Sequence, residues 1–215
     1  MGKTTAEPKG SGTRRDDNGG GDLGGNGGGN GKPTEPDDGM SVSRLGVWLG
    51  LASIGMVFGA LTVMYLVRLS EKPNYVFVVP KALWFSTAFI LISSWTAYRG
   101  LRAIRADDAP RLSRLLGLTM ALGMAFLASQ AYAWMNFYDA GMFDPKNPFS
   151  SLFLLMTGVH AFHVVFGLFW SAYVYHLARQ RVFSQKKHLA VELFSSYWHF
   201  MDGTWVVFFV LLMFV

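Results

Sequence analysis

Residues 191–215 read VELFSSYWHFMDGTWVVFFVLLMFV, from Val191 to Val215. As a helix rising 1.5 Å per residue, a run of this length covers ~37 Å, enough to cross ~30 Å of hydrocarbon. Yet Glu192, His199 and Asp202 sit within it. Ionisable side chains at membrane depth are costly, so those that occur there are functional-site candidates by default.

Four further apolar runs precede this one, over about 45–67, 82–104, 115–137 and 151–177. Each is near the ~17–25 residues a membrane-crossing helix needs. Backbone amides in lipid must be paired within the segment, so such runs are helices. The ten-residue alternation of a membrane barrel is absent. These runs predict an all-α integral membrane protein with five transmembrane helices in one domain, 45–215.

Composition agrees. Of 215 residues, 51% are hydrophobic and only 15% charged, with mean hydropathy +0.27, against about 25% charged in a soluble domain. Residues 1–44 hold 13 of the 33 acidic and basic groups, and Gly19 to Gly31 is nine glycines in thirteen residues. A stretch of this kind buries too little apolar surface to offset its ordering entropy. It is expected to form a disordered, charge-balanced arm over 1–44, and it lacks the apolar core of a signal peptide. No cysteine is present, which excludes disulfides, thiolate metal sites and a C-x-x-C-H haem attachment.

The net charge of +5 does not indicate nucleic acid, because the basic residues lie in short connections. Arg99, Arg102, Arg105, Arg111 and Arg114 separate runs two and three, and Arg179, Arg181, Lys186 and Lys187 separate runs four and five. The connections on the other side carry Arg68, Lys72, Lys81 and Lys146, so the balance is nine against four. By the positive-inside rule the Arg-rich connections are cytoplasmic, which puts the N-terminus inside and Val215 outside.

Two runs carry polar stripes. His160, His163 and Gly167 follow i, i+3, i+7 spacing in the fourth. In the fifth, Glu192, Ser195, His199 and Asp202 fall within ~80° of arc. The expectation is an interhelical polar seam of these six polar residues, facing each other, lipid or a partner subunit. Gly46 with Gly50, and Gly55 with Gly59, form small-x-x-x-small pairs on opposite sides of the first run, suited to packing on two neighbours. Gly167 and Trp205 are also expected in packing. Haem ligation by His160 with His199, metal binding and proton conduction compete with the packing role. Nothing matches an established metal-ligand spacing, so no metal is assigned to this chain. A stand-alone membrane transporter or proton channel and a haem-binding anchor are the readings from other classes, although no internal repeat or broken helix pair supports a transporter.

At this point the chain resembles subunit III of the haem-copper respiratory oxidases in its five-helix bacterial form. The resemblance rests on Leu45 to Ser53, on the Ser93-Ser94 helix with its arginine-rich exit, on Phe126 to Trp134, on Thr157-Gly158-Val159-His160-Ala161-Phe162-His163-Val164, and on Val191-Glu192 with Tyr197 to Trp205. It implies a non-redox accessory subunit with no catalytic residue and no cofactor of its own. Haem and copper would reside in the catalytic subunit I beside it, with subunit II completing the complex. It also implies bound phospholipid, a bacterial plasma membrane location, and support of proton uptake during aerobic respiration. Ile54 and Ala133 stand where family members commonly carry acids, and Gly203-Thr204 where they commonly carry valines. These departures speak against proton conduction through this chain's own acids. They keep a subunit III-like protein of a quinol oxidase or nitric oxide reductase as the alternative.

Overall fold

A computed structural model of the chain describes residues 38–71, 81–139, 141 and 148–213. Of the arm expected over 1–44, residues 1–37 lie outside these residues, and 38–44 belong to a helix. Five helices run α1 (Asp38–Glu71), α2 (Lys81–Arg105), α3 (Ala109–Asp139), α4 (Pro148–Arg179) and α5 (Leu189–Met213), and they belong to one unit, Asp37–Val215.

The arrangement is a four-helix cycle with a fifth helix laid on one side. α2 packs on α3, α3 on α4, α4 on α5 and α5 back on α2, while α1 touches α4 and α5. The side chains explain why α1 stays at the edge. Val47, Leu51, Ile54, Phe58, Leu61 and Tyr65 alternate four and three residues apart, and together with Leu69 they join the core. That spacing makes one narrow seam, the pattern by which a helix meets neighbours on a single side. The rest of α1, including Leu45, Trp48, Leu49, Met56 and Val63, is exposed.

α2 and α4 end in the same way. Asp108 N–H donates to Ala103 O at 2.9 Å and Asp107 N–H to Ile104 O at 3.0 Å. After α4, Val182 N–H donates to Leu177 O at 3.3 Å and Arg181 N–H to Ala178 O at 3.1 Å. Both are Schellman closures, in which the residue after the cap takes a left-handed conformation that usually calls for glycine. Here Asp107 (φ 61°) and Arg181 (φ 55°) occupy it. Asp108 then starts α3 at once, its Oδ1 accepting from Arg111 N–H at 3.0 Å as an N-cap does. Pro110 sits in the first turn, where its missing N–H costs nothing.

Two contacts gather the connections at one end of the bundle. Gln185 N–H donates to Asp107 Oδ1 at 3.1 Å, joining the α2–α3 and α4–α5 connections. Arg44, near the start of α1, meets Glu192 Oε2 at 3.3 Å. The nine basic residues counted above in those two connections therefore share an end with Arg44.

Among the described residues three helices are long and apolar enough to cross a membrane, over Val42–Ser70, Ala109–Asp139 and Phe149–Arg179. α2 and α5 fall short of the five expected because each is interrupted by polar side chains, Ser86, Thr87, Ser93, Ser94 and Thr96 on α2 and His199 and Asp202 on α5. Of the α2 groups, Thr87, Ser93 and Ser94 meet α5, while Ser86 and Thr96 meet α3.

Candidate functional site: the polar spine of α5

Trp198 is the centre of the bundle. Its indole is 1% exposed, and its Nε1–H donates to Ser93 Oγ on α2 at 2.7 Å. A Cβ built on Gly123 of α3 would lie 2.9 Å from its Cη2, and one on Gly167 of α4 would lie 3.0 Å from its Cζ3. One α5 side chain thus touches all three other helices of the cycle. An indole fills a large volume but must satisfy its N–H when buried. Ser93 answers the second need and the glycines answer the first.

The same pattern repeats along α5. Trp205, fully buried, donates Nε1–H to Thr87 Oγ1 at 3.1 Å. Between the two tryptophans, His199 Nδ1 lies 2.6 Å from Ser94 Oγ, and the Ser94 hydroxyl also neighbours the buried Asp202 carboxyl. Thr87, Ser94 and Ser93 of α2 therefore form a ladder of hydroxyls opposite Trp205, His199 and Trp198. The α2 hydroxyls are tied in turn to α2 and α3: Thr87 to Leu83 O at 2.8 Å, and Thr96 to Thr119 Oγ1 at 2.8 Å. Nearby, Gln130 Nε2 of α3 donates to Ser86 Oγ at 3.1 Å.

The six expected seam residues do not share one setting. His199 and Asp202 face α2 rather than α4. Glu192 turns to α1 and pairs with Arg44. His160 and His163 face the α1–α5 side, where Phe58 of α1 lies 6.0 and 5.4 Å from their rings. Ser195 is buried. The contact between the two stripes that does form runs through a residue outside them: Tyr197 OH donates to His163 O at 2.8 Å. The physical reason is that α5 is surrounded by α1, α2 and α4, so an arc of ~80° on it reaches more than one neighbour.

His160 is fully buried in an aromatic box. Its ring lies 5.3 Å from Trp205, 5.8 Å from Phe126 and 6.2 Å from Phe208. Among the described residues neither ring nitrogen has a hydrogen-bond partner. His163 Nδ1 bonds its own helix at Val159 O, 2.8 Å away. Among the described residues no group of three His, Asp or Glu side chains is placed to hold a metal ion.

The expected glycine contacts divide. Gly167 packs tightly, as stated, and a Cβ on Gly55 would meet Phe200 Cζ at 3.3 Å. Gly46, Gly50 and Gly59 have nothing within 4 Å of an added Cβ. Within the chain, then, only Gly55 of the two α1 pairs meets a neighbouring helix. Gly123 and the α2 hydroxyls were not singled out as packing or site residues by sequence reasoning. Their signal is a helix rich in Ser and Thr inside an otherwise apolar chain.

All of these side chains except those of α1 fall within residues 75–215, which match the family model described as Cytochrome c oxidase subunit III. The chain belongs to that family. Cytochrome c oxidase subunit 3 of Synechocystis sp. is 33% identical over 175 residues, 77% of this chain and 72% of that protein. The Thermostichus vulcanus subunit 3 is 30% identical over 78% of this chain and 85% of its own length, and that of Bacillus sp. 29% identical over 77% and 82%. The resemblance read from the motifs is borne out. As a cytochrome c oxidase subunit III family member, the chain devotes the motif of α5 to joining helices.

Proposed function

We propose that this chain is the accessory, non-redox subunit III of a haem-copper terminal oxidase and serves as a rigid membrane scaffold for the catalytic subunit. The observation that carries this reading is the α2–α5 ladder. Trp198, His199 and Trp205 are committed to Ser93, Ser94 and Thr87, so the histidine and both tryptophans of the motif act on the protein itself. The six seam residues then have no bond-making role. They hold the shape of the face offered to subunits I and II, which carry the haem and copper.

All five helices cross the membrane in this reading. α2 and α5 are 25 residues each, ~37 Å at 1.5 Å per residue, and they conceal their polar groups from lipid by turning them toward each other and, for Ser86 and Thr96, toward α3. The basic end of the bundle, joined by the Asp107–Gln185 bond, supports a cytoplasmic placement of that end under the positive-inside rule. The N-terminus is then cytoplasmic and the C-terminus lies on the outer side of a bacterial plasma membrane.

Affinity purification of the tagged chain from native membranes in mild detergent tests the reading. Recovery with a large haem- and copper-bearing subunit is expected, and that partner distinguishes cytochrome c oxidase from quinol oxidase or nitric oxide reductase. Recovery of the chain alone, from membranes that contain an assembled oxidase, overturns it in favour of a stand-alone transporter.

A further inference from the structure

We infer that the carboxyl-terminal end of α3 is a socket for a lysine or arginine side chain of a partner protein. The socket is a cavity of about 450 Å³ lined by Trp134, Met135, Phe137, Tyr138 and Asp139 of α3 and by Leu154 of α4. It lies at the end of α3 away from the arginine-rich α2–α3 connection. Its walls are aromatic and apolar, with a single carboxylate among them.

That carboxylate is out of place for the chain alone. A helix C-terminus carries partial negative charge, which favours cations there and disfavours acids. α1, α2 and α4 conform, with Arg68, with Arg102 and Arg105, and with His176 and Arg179 in their last turns. α3 has no basic residue in its last turn and ends on Asp139, which is exposed. Among the described residues Asp139 forms no ion pair. Its charge and the dipole of α3 therefore add, and one cation from outside the chain answers both.

The walls select the kind of cation. One carboxylate offers too few oxygens for a metal ion. Aromatic faces instead attract the head of a lysine or arginine, while its alkyl stem packs on apolar surface. Two of the rings are set in advance: Trp134 Nε1–H donates to Thr157 Oγ1 of α4 at 3.1 Å, and buried Phe137 lies 5.1 Å from Phe153. Side chains already held in place lose little freedom on binding. Met135 and Tyr138 also line the cavity, yet they are 63% and 71% exposed. Trp, Tyr, Phe and Met are the side chains enriched at protein interfaces. A small soluble amine would leave Met135 and Tyr138 uncovered, so the occupant is a side chain on a protein surface. The inference rests on the accessory role proposed above, because that role supplies the partner.

The test uses the full chain in its native complex. With Asp139 kept, p-benzoylphenylalanine replaces Tyr138, and the photo-cross-linked peptide is read by mass spectrometry. The cross-link is expected on a partner protein, within about four residues of a lysine or arginine. D139R should lower recovery of the complex at least about threefold, and changing the identified basic residue to aspartate should restore it. In the full chain without its partner, D139R should have the opposite sign and raise the unfolding temperature, since a cation suits a helix C-terminus. A residue that merely supports the fold would lower it. The control E192Q, at the other end of the bundle, should leave recovery unchanged. Cross-links confined to lipid, or to Lys146 of this chain, would overturn the socket. So would unchanged recovery of D139R, a loss that the charge swap does not restore, or an equal loss in E192Q. Wild type recovered without any partner would overturn the accessory role and the socket together, whereas an intact wild-type complex with no basic residue at the cross-link removes the socket alone.

Discussion

Gly167 of α4 and Trp198 of α5 pack so closely that a methyl group on the glycine would lie 3.0 Å from indole Cζ3 and 2.9 Å from the ring of Tyr197. Alanine ordinarily stabilises a helix interior over glycine by about 1 kcal/mol. Overpacking a core costs about 1–3 kcal/mol, and neither ring can easily withdraw, since Trp198 is held by Ser93 and Tyr197 by His163 O. Gly167→Ala should therefore lower stability by about 1–2 kcal/mol, as should Gly123→Ala. Gly46→Ala, with open space around it, should leave it unchanged or raised. Thermal unfolding of the full chain in one detergent compares all three. A Gly167→Ala protein as stable as wild type would show that α4 and α5 are not locked together.

The Trp198–Ser93 bond invites a second test. Ser93→Ala leaves the indole N–H buried without a partner, which costs about 1–3 kcal/mol. Trp198→Phe removes the donor but also opens a void. In a double-mutant cycle read by thermal unfolding, the two losses should be less than additive, because the second change removes a group the first had already orphaned. Strict additivity would dissolve the ladder as an energetic unit.

How much of this was readable from residues alone differs from helix to helix. The apolar runs located every helix, because lipid-length hydrophobic stretches permit little else. The ends were harder. α3 begins at Ala109 rather than Leu115, since hydropathy registers the hydrocarbon and not the capped, arginine-bearing turn that Asp108 starts. The site was legible as composition and not as pairing. Periodicity placed His199 and Asp202 on one arc but could not say which helix they face. The answer depended on α2, whose serines and threonines carry so little polarity that they read as ordinary spacers. Gly123 was invisible for a similar reason, as only the indole opposite it gives it meaning.

His199 offers a test of role as well as geometry. His199→Leu deletes the 2.6 Å contact with Ser94 and leaves that hydroxyl beside Asp202 alone. If α5 acts as a scaffold, the variant should reduce the amount of assembled complex recovered from membranes, while the complexes that do form turn over oxygen at the wild-type rate. Normal recovery with lost turnover would instead assign His199 to a proton route. Asp202→Leu should behave in the same way.

The Arg44–Glu192 pair should matter little. Its side chains are 49% and 30% exposed, and ion pairs in such surroundings contribute about 0–1 kcal/mol. Glu192→Gln should change the unfolding temperature only slightly, and added salt should erase the difference. A large, salt-insensitive loss would mean that Glu192 has a second partner in the assembled complex.

His160 gives the sharpest contrast between the scaffold and proton-carrying roles. Its imidazole is enclosed by Phe58, Phe126, Trp205 and Phe208, with no hydrogen-bond partner among the described residues. Burying an unpaired polar group costs about 1–3 kcal/mol, so an apolar side chain of similar size regains that amount. It forfeits ring contacts worth about 0.5–1.5 kcal/mol per aromatic pair. With four such rings the forfeited contacts amount to about 2–6 kcal/mol and exceed the gain, so His160→Leu should lower the unfolding free energy by about 1–3 kcal/mol. Turnover of the complexes that still assemble should be retained. Assembled complex recovered in normal amount but without turnover would make His160 a proton carrier and remove it from the scaffold.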